Sequence, residues 1–449
     1  MAAILNLFSA PLSILRNWLI GLSALARLIM VGLGVLGGEG SFKAKLGAAF
    51  RQASTQRQLF AVLRAFVPNL VLSRQLVKSY ENTGTALITR RQDVLDVLNR
   101  NEDFAVVYEP RMRKITEGEN FFLGMQPGWP YTRDTSAMRL AARRTDVEEL
   151  ILPGATAKAE EFVAAAGGSI DLPQDLTLRV PYDMVANYFG TPGPSEREMI
   201  DWMTIMFWYL FSDLGADPEV ERKALAAAAG GRAALDQTIA ERKSNPTDDE
   251  DLINRCLALQ TSGTPGMDDL GIRNNIIGLQ IGAIPTISKA CNHAMEELFN
   301  RPAELAGAQK AALFDDDQLL AQYIWEALRF NPHQPLIYRR ALRDAVIAPS
   351  TLRRRTIPKD TMVMAVSLAA TFDNLNIPDA NSFRTDRPFD LYMTWGYGMH
   401  ICFGAAINQQ IIPAILKPLL KQKNLRRAGD VERGGTPFPQ HFRLEFDPA

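Results

Sequence analysis

From Pro11 to Leu36 the chain is almost wholly apolar, and its few polar positions fall on one side of a helix. Ser9, Ser13, Arg16, Ser23 and Arg27 share a stripe, with Trp18, Leu22, Leu25 and Ile29 opposite. The pattern predicts an amphipathic helix suited to lying in a membrane interface. A spanning role would put Arg27 mid-bilayer, at about 2.5–3.5 kcal/mol. No basic run precedes the apolar stretch, so it does not read as a cleaved leader. Further along, Ala86-Leu87-Ile88-Thr89 predicts a short strand and residues 91–98 a helix, followed by a long irregular connection over 104–128. Helices are expected over 133–167 and 174–190, the second ending at Gly190-Thr191-Pro192-Gly193-Pro194. Residues 199–211 are dense in bulky apolar side chains. Asp268 opens a long apolar helix over 270–300, and Val363 and Val366 mark strand positions between 357 and 371. The expected class is mainly α with small β-sheets, without internal repeats.

Composition narrows the function. Of 449 residues, 47% are hydrophobic, enough for a large core. The net charge of −1 gives no bulk field toward nucleic acid. The charge is uneven, however: residues 1–80 carry nine Lys or Arg and one acid, Glu39. Two parts are therefore expected, a membrane-associating segment over 1–40 and one large domain over 41–449. Cys256, Cys291 and Cys402 lie too far apart to suggest a disulfide framework, which fits a reducing compartment. His293, His333, His400 and His441 lack zinc-site spacing. The expected location is intracellular, either cytoplasmic or peripheral on a membrane.

The chemistry centres on Trp395-Gly396-Tyr397-Gly398-Met399-His400-Ile401-Cys402-Phe403-Gly404, just before an apolar helical run. A glycine-rich turn and a helix N-terminus direct backbone N–H groups at a sulfur and are expected to lower the thiol pKa. Cysteine thiolate is one of the few axial ligands proteins offer haem iron.

Four motifs in register resemble the cytochrome P450 family, over roughly residues 45–449. Trp395, Gly398, His400, Cys402 and Gly404 occupy the offsets of its cysteine loop, with Trp where Phe is usual. Glu326-Ala327-Leu328-Arg329 resembles its Glu-x-x-Arg pair. Phe383-Arg384-Thr385-Asp386-Arg387-Pro388 is similar to the meander that supplies Arg387, and Trp129-Pro130-Tyr131-Thr132-Arg133 to its Trp-x-x-x-Arg helix start.

The resemblance implies a cytochrome P450 fold and haem b (iron protoporphyrin IX) bound through Cys402. Arg133, Arg340, His400 and Trp129 are the candidate propionate partners, with Arg339 as a rival to Arg340. Glu326, Arg329 and Arg387 form a structural charge cluster. Phe104, Phe121 and Phe122, with Phe207 and Trp208 in the roof, are the candidate pocket walls for an apolar, lipid-like substrate. Further implied partners are a ferredoxin or flavin reductase.

The long helix departs from the family pattern. Its usual run has an acid and an alcohol that relay protons; here it reads Ile281-Gly282-Ala283-Ile284-Pro285-Thr286, with no Asp or Glu between Asp269 and Glu296. Gly282, Ile284, Pro285 and Thr286 are the candidate catalytic positions, and Pro285 is expected to kink the helix. Gln409 and Ile411 stand where the family often has Arg and Glu. The departures favour peroxide or hydroperoxide chemistry. An NAD(P)H-dependent monooxygenase using dioxygen and a non-catalytic haem or lipid binder are the alternatives.

Overall fold

The computed structural model describes residues 2–36 and 41–448, with side chains described from Ser13 onward except at 43 and 44. Met1, residues 37–40 and Ala449 lie outside the described residues, as does the side chain of Ser9. The chain divides into two compact units. Met1–Val77, Glu81–Ala105 and Trp325–Ile401 form the first; Lys78–Tyr80, Val106–Ile324 and Cys402–Ala449 form the second. In the N-terminal helix Ala2–Leu36, which belongs to the first unit, the face bearing Asn17, Gly21 and Ala24 is buried. A side chain at Gly21 would collide with Ala65 and Phe66 of the helix Ala53–Phe66.

The first unit is built on a five-stranded sheet. Its order is Asn69–Leu72, Gly84–Ile88, Thr361–Ala365, Ile337–Ala341 and Phe104–Ala105. Gly84–Ile88 and Thr361–Ala365 pair in parallel, the other neighbours antiparallel. The predicted strand and helix near residue 90 form as Gly84–Ile88 and Arg91–Asn99. Both middle strands are buried along their whole length, so their side chains are apolar or small throughout rather than alternating. Ile88, Val97, Leu98, Val363 and Met393 belong to one core.

The second unit is almost all helix around Asp269–Phe299, which is buried on nearly every side. This helix runs through Pro285 without interruption, although the proline leaves the Ile281 carbonyl without its usual donor. Two expectations need correction. The single helix over 133–167 is instead Trp129–Ala141 and Leu152–Ala165, with a wide turn Val147–Ile151 before the second. Asp146 explains the break: its carboxylate accepts from the Arg143 N–H (3.0 Å), Arg255 (2.5 Å) and the Tyr188 hydroxyl (2.7 Å), a set a continuous helix would not present. The connection over 104–128 also contains a helix, Glu109–Thr116, with Pro110 in its first turn.

Candidate active site

In the first unit, Glu326 and Arg329 sit one turn apart on the helix Asp317–Phe330 and are fully buried. Arg387 donates to the same carboxylate at 3.2 Å, the Arg384 backbone N–H at 3.0 Å and the Tyr392 hydroxyl at 3.1 Å. Arg329 also caps the Thr371, Ala380 and Ser382 carbonyls at 2.7–3.1 Å, and Arg387 those of Pro378, Asp379 and Ser382 at 2.7–3.0 Å. One carboxylate thus ties a helix to the 378–392 segment leading into the cysteine loop. Burial lowers the Arg329 pKa against the pull of Glu326 and raises that of Tyr392.

The loop's first half lies in the same unit. Trp395 is buried edge-on to Trp325 (5.0 Å) and stacked on Phe389 (5.2 Å). Gly398 has φ +75°, and a Cβ there would lie 2.9 Å from the Leu98 carbonyl oxygen. His400 is partly buried, and burial first, then the nearby Arg339 charge, pulls its pKa down to about 4. Arg339 and Arg340 point to opposite faces of their strand. Arg339 is 2% exposed, whereas Arg340 is only half-buried. The electrostatic coupling to His400 therefore belongs to Arg339.

The second half lies in the second unit with the central helix. Cys402, Phe403 and Asn408 line a cavity of about 70 Å³ together with Gly278, Gly282 and Ala283. Nothing stands within 4 Å of where a Gly282 Cβ would be, while a Gly278 Cβ would strike the Phe121 ring. Phe122 packs at 5.2 Å on Phe403, and Arg139 lies 4.6 Å from the same ring centroid. The expected lowering of the Cys402 pKa is not seen. Burial pushes the thiol up to about 11, and the Gly404 N–H and Arg139 only partly oppose it. A cation at the sulfur is what would stabilise the thiolate. Thr286 donates its hydroxyl to the Gly282 carbonyl, with the Ala283 carbonyl 3.3 Å away. Ile284 is fully buried.

The remaining candidates are more scattered. Arg133 is paired with Asp134 at 2.6 Å, and Trp129 is 67% exposed at the start of its helix. Phe104 belongs to the sheet core, with Arg100 over its ring at 5.2 Å. Phe207 packs against Phe211 (4.8 Å) and Phe438 (5.8 Å), and Trp208 is half-buried. Gln409 is half-buried and Ile411 fully buried on the helix Ala405–Leu420. Sequence reasoning did not find Arg139, Tyr392 or Asn408, since none stands in a motif; Arg139 lies six residues beyond Arg133 and carries no pattern of its own.

A family model described as Cytochrome P450 matches residues 79–430. The chain belongs to the cytochrome P450 family. Among curated relatives of this P450, the Erythromycin C-12 hydroxylase of Saccharopolyspora erythraea is 26% identical over 248 residues, 55% of this chain and 59% of that protein. The Steroid C26-monooxygenase of Mycolicibacterium smegmatis is 25% identical over 366 residues, 78% of this chain and 82% of that one. The solved structure of cytochrome P450 CYP109Q5 from Chondromyces apiculatus superposes with a TM-score of 0.72 at 20% identity, covering 88% of this chain and 96% of that one. The P450 fold is therefore shared.

Membership implies a haem iron, and the donor set fits one. Among the described residues no group of three or more His, Cys, Asp or Glu could hold a metal by itself. A single thiol lining a cavity shared with a side-chain-free helix position suits a metal whose other ligands come from a macrocycle.

Proposed function

We propose that this P450 is a haem-thiolate oxidoreductase acting on an apolar, lipid-like substrate, and that it handles peroxide-level oxygen more readily than dioxygen. Haem b bound through Cys402 supplies O–O cleavage driven by electron donation from the thiolate. Arg133, Arg339, His400 and Trp129 are the candidate holders of its propionates, since buried carboxylates require cations or N–H donors. Arg339 takes precedence over Arg340 because it is the buried one of the pair. Gly282 leaves open space in the cavity that Cys402 lines, and Ala283, Ile287 and Phe403 keep that cavity apolar.

The observation that carries the oxygen reading is on the central helix. No carboxylate occurs over 270–295, and the Thr286 hydroxyl donates to a helix carbonyl. Proton delivery from this helix therefore lacks its acid. A substrate arriving with its own O–O bond needs neither that supply nor a reductase. A second reading, dioxygen-dependent hydroxylation with a ferredoxin or flavin reductase, is favoured by the hydroxylase and monooxygenase names of the relatives.

The N-terminal helix supports attachment to a membrane surface. Ser13–Leu36 is long and apolar enough to cross a bilayer. One face is packed on Ala53–Phe66, while Trp18, Leu22, Leu25, Ile29 and Leu33 are exposed. A helix held along the protein and apolar on its outer side suits the interface plane.

The test compares a fatty-acid hydroperoxide offered without reductant against the parent fatty acid with NADPH and a surrogate redox chain. Faster turnover in the first assay supports the proposal. Coupled hydroxylation in the second with none in the first overturns it in favour of the monooxygenase. Absence of product in both, with haem bound, would leave a binding protein.

A further inference from the structure

Lys289 is a buried lysine on the central helix. It sits on the central helix two turns beyond Gly282, on the same stripe, about 10 Å along the axis. Its side chain is 8% exposed. Its ammonium lies 5.5 Å from the Phe438 ring centroid, and Phe438 packs on Phe207, which packs on Phe211. This is an aromatic wall with one cation against it.

No acid of the described residues forms an ion pair with it. The next two acids along the helix are committed elsewhere: Glu296 to Arg433 at 2.8 Å, Glu297 to Arg301 at 2.7 Å. Arg433, on the same C-terminal segment as Phe438, repels it. Burial, with that repulsion, brings the Lys289 pKa down to about 8. A cation–π contact alone rarely offsets desolvation of an ammonium, so a largely buried lysine without an acidic partner leaves a place for an anion.

We propose that Lys289 anchors the carboxylate of the substrate, making that substrate a carboxylate-bearing chain rather than a neutral apolar molecule. The proposal rests on the apolar-substrate reading and narrows it. A chain held at Lys289 would lie along the Phe207–Phe438 wall with its apolar length directed along the stripe toward Gly282. Lys289 is a positioning residue, with no part in the reaction at the substrate's oxidised carbon.

The experiment measures equilibrium binding of hexadecanoate and of methyl hexadecanoate to the full-length holoprotein, by calorimetry, in wild type, Lys289→Met and Lys289→Arg. Removing an uncompensated buried cation is expected to leave the melting temperature unchanged or raised, so folding is checked separately. The expected result is that Lys289→Met weakens the acid about tenfold or more, leaves the ester within about twofold, and that Lys289→Arg restores the acid. Equal losses for acid and ester, or no loss for the acid, would overturn the anchor while leaving the apolar pocket intact. Wild-type protein that binds the ester but not the acid would overturn it too. If neither ligand binds, the apolar-chain reading falls and the anchor with it.

Discussion

Glu326 and Arg329 meet as a two-point ion pair, Nη2 to Oε1 at 2.6 Å and Nε to Oε2 at 2.9 Å, with neither side chain more than 1% exposed. The Arg387 guanidinium and the Tyr392 hydroxyl complete the shell around the carboxylate. Because the carboxylate is desolvated, its stability depends on every donor being present. Arg329→Ala is expected to destabilise the fold by about 3–5 kcal/mol and to yield haem-poor or insoluble protein. Denaturant melts and the haem-to-protein ratio check this; a soluble, fully loaded variant would refute it.

Gly398 tests the loop separately from the charge cluster. Any side chain there must adopt positive φ and displace the Leu98 carbonyl. Gly398→Ala is expected to cost about 1–3 kcal/mol and to loosen haem retention, measured by thermal melts and by haem transfer to apomyoglobin. A variant as stable as wild type would show that the turn readily relaxes.

The motifs were legible in the sequence where chemistry and spacing coincide. Glu326 and Arg329 are three residues apart on a helix, a distance at which side chains meet without help from the rest of the fold. Cys402 is marked by the glycines before and after it. The motif pattern favoured Arg340 over Arg339, but which of two adjacent strand residues is buried depends on pairing with Thr361–Ala365, a tertiary fact. The break after Ala141 was hidden for a similar reason: Asp146 looks helix-compatible until Arg255 and Tyr188 engage it. Pro285 lies inside one continuous helix, Asp269–Phe299, because the packing around it holds the residues on both sides of the proline in helical conformation. For Cys402, sequence shows the N–H donors that lower a thiol pKa but not the desolvation that raises it.

The outward face of the N-terminal helix should govern membrane attachment. Leu22→Ser with Ile29→Ser removes apolar surface without touching the packed face at Gly21 and Ala24. Each side chain contributes about 1.5–3 kcal/mol when buried in an apolar medium, so co-sedimentation with anionic vesicles is expected to fall at least tenfold. Salt should weaken binding of the wild type at the basic positions Arg16 and Arg27. Unchanged sedimentation of the double variant would rule this face out.

Thr286 offers a probe of the proposed oxygen chemistry. Its hydroxyl donates to the Gly282 carbonyl, so Thr286→Val removes a helix bond and no proton path. Hydroperoxide turnover is expected to stay within about a factor of three, under 1 kcal/mol on the barrier. A hundredfold loss at unchanged haem content would mean that the hydroxyl takes part in proton transfer.

All of this depends on Cys402 as the ligand to iron. Cys402 lines one cavity with Gly282, its thiol receives the Gly404 N–H and is pushed by burial away from being a free thiolate, so a bound metal is what would ionise it. The direct measurement is the absorption spectrum of the reduced protein under carbon monoxide, in wild type and in Cys402→His. The account predicts the red-shifted Soret band of thiolate ligation in the wild type and its replacement by an imidazole-type band in the variant. Retention of the thiolate band in Cys402→His would contradict it.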